Sequence, residues 1–275
     1  MASILQDKFV GPMVWDADSQ FLNDGLATLD DACQLEIATV AEELRANPLP
    51  TEALQPEDFV MPACKSLMAS VRETVDNGTG FAVVDRLDVN GLGRDIATKI
   101  YWLLMSMAGR PVAQKWDGTL VYDVLDKGGK ATPGSGVRSS TTNGGQGFHN
   151  DNAFNLPPDF VALFCLQTAM KGGISGIVSF ESVYNKLLDE YREVLERLYQ
   201  PFHFDRQMEH APDEDRVSLK PIFEVEGDAL NVNFSPRLVE HGYQMKGEEL
   251  DLKTRAAIDA LCQTTEIDNL CKRFE

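Results

Sequence analysis

The chain has 275 residues, 43% of them apolar, enough to bury a full core as one large domain or two small ones, and the lack of a Pro-, Gly- or Ser-rich linker favours one. Its formal charge of −18 argues against nucleic acid or an anionic membrane as partner, since both are polyanions. Five widely spaced cysteines with no Cys-x-x-Cys pair exclude a disulfide framework or a structural zinc site.

Taken in chain order, helices come first. Residues from about Asp30 to Arg45 carry Leu35, Ile37, Val40, Ala41 and Leu44 at helical spacing, and Pro48 and Pro50 end that helix. A second helix is predicted from about Pro56 to Val75. Asn77-Gly78-Thr79-Gly80 then turns the chain into a short strand, Phe81–Val84. A third helix runs from about Leu92 to Met107 and stops at Gly109-Arg110-Pro111.

From Thr119 the texture changes. Leu120, Tyr122 and Val124 alternate with polar or smaller residues, as in a half-buried strand. Lys127 to Gly147 is rich in Gly, Ser and Thr and reads as a long functional loop. Phe160 to Leu166 reads as a buried strand that would also bury Cys165, and Gly176 to Phe180 as another strand. Helix follows over Glu181 to Leu198, then a hairpin from Pro221–Val225 and Ala229–Phe234 around Glu226-Gly227-Asp228. A last helix spans about Glu249 to Leu261. Helices followed by short, mostly antiparallel strands predict an α+β, mainly β architecture: a jelly-roll double sheet with N-terminal and inserted helices. The division expected within one domain, 1–275, is a helical segment over 1–75 and a core over 76–275. The N-terminal segment lacks a basic stretch followed by an apolar one, and no apolar run is long enough to span a bilayer. A cytoplasmic protein is expected; homo-oligomerisation is left open.

The chemistry centres on Gly147-Phe148-His149-Asn150-Asp151-Asn152-Ala153-Phe154. At a strand end or a following loop, residues i and i+2 can turn toward one point, bringing an imidazole nitrogen beside a carboxylate oxygen. Two His and one carboxylate on one octahedral face are the ligands of non-haem Fe(II) oxygenases. Alone, His-x-Asp is a weak pattern, common by chance as a loop His with a hydrogen bond.

Its surroundings strengthen it. The segment, with Pro157-Pro158-Asp159-Phe160 through Leu166 and then Gly172-Gly173-Ile174-Ser175-Gly176, resembles the TauD/TfdA family of Fe(II)- and 2-oxoglutarate-dependent oxygenases. Gly78–Val84 and the hairpin ending in Asn233-Phe234 resemble it too. The resemblance implies Fe(II) and 2-oxoglutarate as cofactors, with O2 and a small polar metabolite, such as an amino acid or amine, as substrates. The substrate would be hydroxylated with release of succinate and CO2. His149 and Asp151 match the metal ligands, and Ser175 the place where a hydroxyl meets 2-oxoglutarate. Arg138, Ser139, Ser140, Asn152 and Phe154 are placed near the substrate. Asp151 also sets the chain apart from the family's halogenases, which lack that carboxylate.

The resemblance further implies a distal His and, beyond it, an Arg that grips 2-oxoglutarate, both following a helix like Glu249–Leu261. Cys271–Glu275 stands about where that segment begins, so the expectation is a chain lacking those residues and the last core strands, most simply by truncation, with strands supplied by a partner or a degenerate, non-catalytic protein as the alternatives. The remaining histidines are His203, His210 and His241. His203 and His210 are read as part of an acidic surface loop, and His241 as a weak substitute ligand. Two further readings stay open: a non-catalytic binding or scaffold protein on the same fold, and a cupin-like enzyme with another metal.

Overall fold

The computed structural model describes residues 4–19, 25–227 and 229–274. They fall into two compact units, Asp18–Val112 with Phe160–Gly173, and Met1–Ala17 with Ala113–Asp159 and Ile174–Glu275.

The first unit contains β1 (Leu26–Ala27), α1 (Asp31–Ala46), α2 (Pro62–Asn77), β2 (Val83–Val84), α3 (Val89–Leu92) and α4 (Arg94–Ala108). Helix α1 starts where the Asp30 carboxylate accepts from the Cys33 N–H, satisfying one of the donors a helix start leaves open. Its stripe of Cys33, Ile37, Val40, Ala41 and Leu44 is buried. Helix α2 begins later than Pro56, because Pro56–Asp58 form a separate turn of 3-10 helix. The Glu36 carboxylate of α1 caps α2 by accepting from the N–H groups of Ala63 and Cys64, at 2.8 and 2.9 Å. Strands β1 and β2 pair in parallel, Leu26 opposite Val83.

Residues 160–166 correct the sequence expectation. They form no regular secondary structure and join no sheet, and Val161, Leu163 and Cys165 are exposed. The intervening residues meet α4: the Tyr101 hydroxyl donates to the Ala162 carbonyl at 2.9 Å, and the Tyr101 ring stacks on Phe164. Packing on one helix explains the alternation without a strand on either side. Burial of Cys165 fails for the same reason, since it lies on the outward face.

The second unit holds β3 (Ser175–Val178), α5 (Phe180–Glu190), α6 (Arg192–Leu198), β4 (Pro201–Asp205), β5 (Val217–Pro221), β6 (Phe223–Glu226), β7 (Ala229–Val232), α7 (Pro236–Lys246), α8 (Leu252–Thr265) and β8 (Cys271–Phe274). The strands pair antiparallel two by two: β3 with β8, β4 with β5, β6 with β7. The β6–β7 pair is the expected hairpin; Asp228 of its turn lies outside the described residues. Tyr184, Tyr199, Phe223, Phe234 and Phe180 meet edge to face in the core, with Leu195, Phe202, Phe204 and Leu261 around them.

Two further expectations change here. Leu120, Tyr122 and Val124 form no strand; the backbone that follows donates instead to a 3-10 turn, Leu125 to Ser140 and Lys127 to Thr141. His203 is not in a surface loop but in β4, because Phe202 and Phe204 on either side are fully buried. Helix α7 lies close against that strand. A Cβ on Gly242 would collide with the His203 carbonyl and sit 2.8 Å from the Phe204 nitrogen, so only glycine permits the approach.

Candidate metal centre

Residues 147–155 are held at several points. The Phe148 ring packs on β3 so closely that a Cβ on Gly176 would lie 3.0 Å from it. Two residues on, the Asn150 N–H donates to the Phe234 carbonyl, just past β7, at 2.7 Å. Asn152 takes a left-handed φ of 56°, which asparagine tolerates better than most residues. Ala153 and Phe154 then enter the core. Anchored on both sides, the turn presents His149 and Asp151 together.

The Nδ1 of His149 lies 2.8 Å from the Gly147 carbonyl, so Nδ1 carries a proton, and Nε2, which bonds Asp151 while protonated, offers a lone pair to a metal once that proton is lost. Nε2 and the Asp151 Oδ1 are 3.3 Å apart. Two ligands at adjacent corners of an octahedron, with bonds of about 2.1 Å, stand about 3.0 Å apart. The observed separation of the two atoms is close to that spacing. Burial alone would depress the His149 pKa, but the hydrogen bonds to Asp151 and Gly147 outweigh it and leave it raised, with the Arg237 charge opposing. The Asp151 carboxyl is held below its usual range, first by the hydrogen bond with His149, with the charges of His149 and Arg138 adding.

Among the described residues, no group of three His, Cys, Asp or Glu side chains is placed to hold a metal ion. His241 pairs with Asp205 at 3.6 Å, His203 with Glu248 at 3.4 Å, and the His210 ring bonds the Ala211 carbonyl at 2.8 Å. The weak expectation for His241 as a ligand thus meets a residue already engaged elsewhere.

A cleft of about 740 Å³ is lined by Arg138, Asn152, Asn155, Arg206, Glu209 and His210, among others. Arg138 is fixed by Glu209 at 2.6 Å and by the Gln114 carbonyl at 3.0 Å. The Asn152 amide donates to the Leu156 carbonyl at 2.6 Å. Ser139 opens the 3-10 turn and Ser140 faces a smaller cavity. Ser175 is exposed at the start of β3, opposite Phe274, on the strand that carries Gly176 beneath Phe148. The structure brings Arg138 and Asn152 together on one cleft and leaves Ser139 outside its lining. Phe154 does not face the cleft: it is 3% exposed and belongs to the core, since Asn152 turns the chain inward after Asp151.

Sequence reasoning did not single out Glu209, which orients Arg138, or Arg237, which lies within electrostatic range of His149. Pro236 at the first position of α7, four residues past the end of β7, was the signal that the next residue stands at a helix start near the hairpin end.

Residues 46–274 match the family described as Taurine catabolism dioxygenase TauD, TfdA family. FR-33289 synthase of Streptomyces rubellomurinus (strain ATCC 31215) is 26% identical over 261 residues, covering 94% of this chain and 76% of that protein. A solved structure of asparagine oxygenase, in complex with Fe(II), 2S,3S-3-hydroxyasparagine and succinate, matches with a TM-score of 0.60 at 17% identity. It covers 90% of this chain and 81% of the other. That likeness speaks for a shared fold, the jelly roll expected from sequence. No helix among the described residues is long and apolar enough to cross a membrane.

Proposed function

Because the chain belongs to the TauD/TfdA family and is a non-haem iron, 2-oxoglutarate-dependent dioxygenase, we propose that His149 and Asp151 hold its Fe(II). In this reading the enzyme hydroxylates a small polar metabolite, an amino acid or amine, with release of succinate and CO2. The observation that carries it is the anchored His149 ring, whose Nε2 stands 3.3 Å from the Asp151 carboxylate. With 2-oxoglutarate and O2, the metal supplies the oxidation. The chain's own residues bind, orient and shield.

The Gly147 carbonyl holds the His149 ring in the tautomer that offers Nε2 outward. The Ser175 hydroxyl, exposed beside the Phe148–Gly176 contact, would donate to a 2-oxoglutarate carboxylate. Arg138 and Asn152 meet the substrate in the cleft. Glu209 holds Arg138 by an ion pair, so less side-chain entropy is lost on binding. Both signs of charge line this cleft, from Arg138, Arg206, Glu209 and Glu214, which suits a zwitterion. The hydroxylated amino acid bound in the asparagine oxygenase structure supports the same class.

The test is anaerobic loading of the chain with Fe(II), then succinate production from 2-oxoglutarate and O2 across a panel of amino acids and amines. We expect one equivalent of iron and substrate-stimulated succinate. Iron uptake no greater than that of His149→Ala would overturn the assignment of the pair.

A further inference from the structure

Of the three tryptophans, Trp15 and Trp102 are buried, whereas Trp116 is 80% exposed on a turn that lines the cleft. An open indole is an uncommon surface group, because its large apolar face gains by being covered. The turn that carries it is firmly held. The Gln114 N–H donates to the Thr119 carbonyl at 2.6 Å, and the Asp117 carboxylate accepts from the Thr119 N–H and hydroxyl at 3.0 and 2.6 Å. The Trp116 N–H donates at 2.7 Å to the Glu209 carboxylate oxygen that Arg138 does not use.

Met208, next to Glu209 in sequence, lines the same cleft and is 48% exposed. Gln207 and Met208 take left-handed φ angles of 50° and 63°, which side chains other than glycine adopt only where the surroundings enforce it. Here the Asp205 carboxylate accepts from the Gln207 N–H at 2.9 Å. Met208 also packs so closely on Gly136 that a Cβ there would lie 3.0 Å from its Cγ. Trp116 and Met208 both line the smaller cavity of about 230 Å³ as well.

We propose that Trp116 and Met208 form an apolar subsite for a flat side chain of the substrate, which makes that substrate an aromatic amino acid. This deepens the proposed function and rests on its reading of the cleft as the place where an amino acid binds. At about 740 Å³ the cleft falls within the roughly 300–1,000 Å³ that holds drug-sized ligands, so a ring fits beyond the charged ends of an amino acid. The cations near the two apolar groups are already engaged. Arg138 pairs with Glu209, Arg206 pairs with Glu214, and the Lys115 ammonium sits 4.6 Å from the centre of the Tyr122 ring. A substrate ring stacks on the indole face, and the thioether adapts to the ring's edge. An aliphatic side chain of similar size gains burial there but no stacking. Because both groups are fixed before binding, little further ordering is needed.

The experiment follows acrylamide quenching of tryptophan emission in the whole chain, anaerobically, with and without Fe(II) and 2-oxoglutarate. Quenching reports the cover of Trp116, because Trp15 and Trp102 are only 4% and 7% exposed. The probes are L-phenylalanine and L-tyrosine, set against L-leucine, L-alanine and L-asparagine. We expect the two aromatic amino acids to protect Trp116 and the other three to leave quenching unchanged. Calorimetry should show phenylalanine binding weakened about tenfold in Trp116→Ala and less in Met208→Ala, with Trp116→Phe keeping most of it. Protection by neither aromatic amino acid in either state overturns the subsite, as does equal protection by leucine or an unchanged affinity in Trp116→Ala. The two readings fail separately. A chain that takes up no iron and forms no succinate loses the metal reading, while quenching without metal still decides the subsite. Succinate formation stimulated by asparagine or alanine but by neither aromatic amino acid keeps the enzyme and overturns the subsite. Trp116→Phe retains a ring on the same turn, so an Ala variant that fails to fold does not remove the comparison.

Discussion

His149 and Asp151 stand two residues apart on one turn, with side chains 28% and 54% exposed, whereas His241 and Asp205 come from α7 and β4 and are 12% and 3% exposed. Both are histidine–carboxylate pairs in the same unit, yet they are built for different work. The Asp205 oxygens are occupied by backbone N–H groups of Gly134 and Gln207 as well as by His241. Asp151 has, among the described residues, His149 as its hydrogen-bond partner, so its lone pairs are available to an ion. A carboxylate saturated by backbone donors ties segments together, and one left open can do chemistry.

The sharpest way to break this contrast is to remove a member of the open pair. His149→Ala or Asp151→Ala should weaken Fe(II) affinity by at least about a hundredfold while leaving the melting temperature nearly unchanged. Equilibrium dialysis and thermal unfolding on the same samples check both halves. A large drop in stability would place the pair with the structural ones.

Asp205→Asn should do the reverse, costing about 3 kcal/mol of stability while leaving iron affinity within about twofold. Burial pushes the Asp205 carboxyl up, but the bonds from His241, Gly134 and Gln207 prevail and hold it below its ordinary value. A lowered folded value means the ionised form is stabilised by folding. That contribution is full above the unfolded pKa, declines as pH falls below it, and is gone beneath the folded value. Urea unfolding at pH 7 and at pH 3 should therefore show the gap between wild type and variant narrowing in acid. A gap that widens would contradict the assignment.

Gly242→Ala should have the smallest effect, about 2 kcal/mol, by forcing α7 away from the His203 carbonyl in β4 and loosening the approach of His241 to Asp205. Denaturant titration of this variant beside Asp205→Asn tests whether the two losses fail to add, as residues in one contact should.

Much of the helical part was legible because its signals are local. Asp30 before a stripe of Cys33, Ile37, Val40 and Leu44 specifies α1 within a residue of its observed start. The Glu226-Gly227 turn between apolar runs likewise marks the β6–β7 hairpin. Residues 160–166 misled because alternation reports one buried face and cannot say whether the cover is a sheet or the side of α4. Phe154 misled for a related reason. Nearness in sequence to Asp151 does not determine side-chain direction once Asn152 reverses the backbone.

What the sequence by itself determined is the local chemistry: a histidine and a carboxylate two residues apart, in a setting that marks the TauD/TfdA family. Such a pair needs only a turn to converge, so spacing suffices. Only the tertiary structure decided that His241 belongs to Asp205, that Glu209 braces Arg138, and that Nε and Nη1 of Arg237 are buried without a hydrogen-bond partner among the described residues. Those relations join residues far apart in the chain, set by how α7 packs on β4 and how the loop ending at Gly147 folds back, and no local periodicity encodes them.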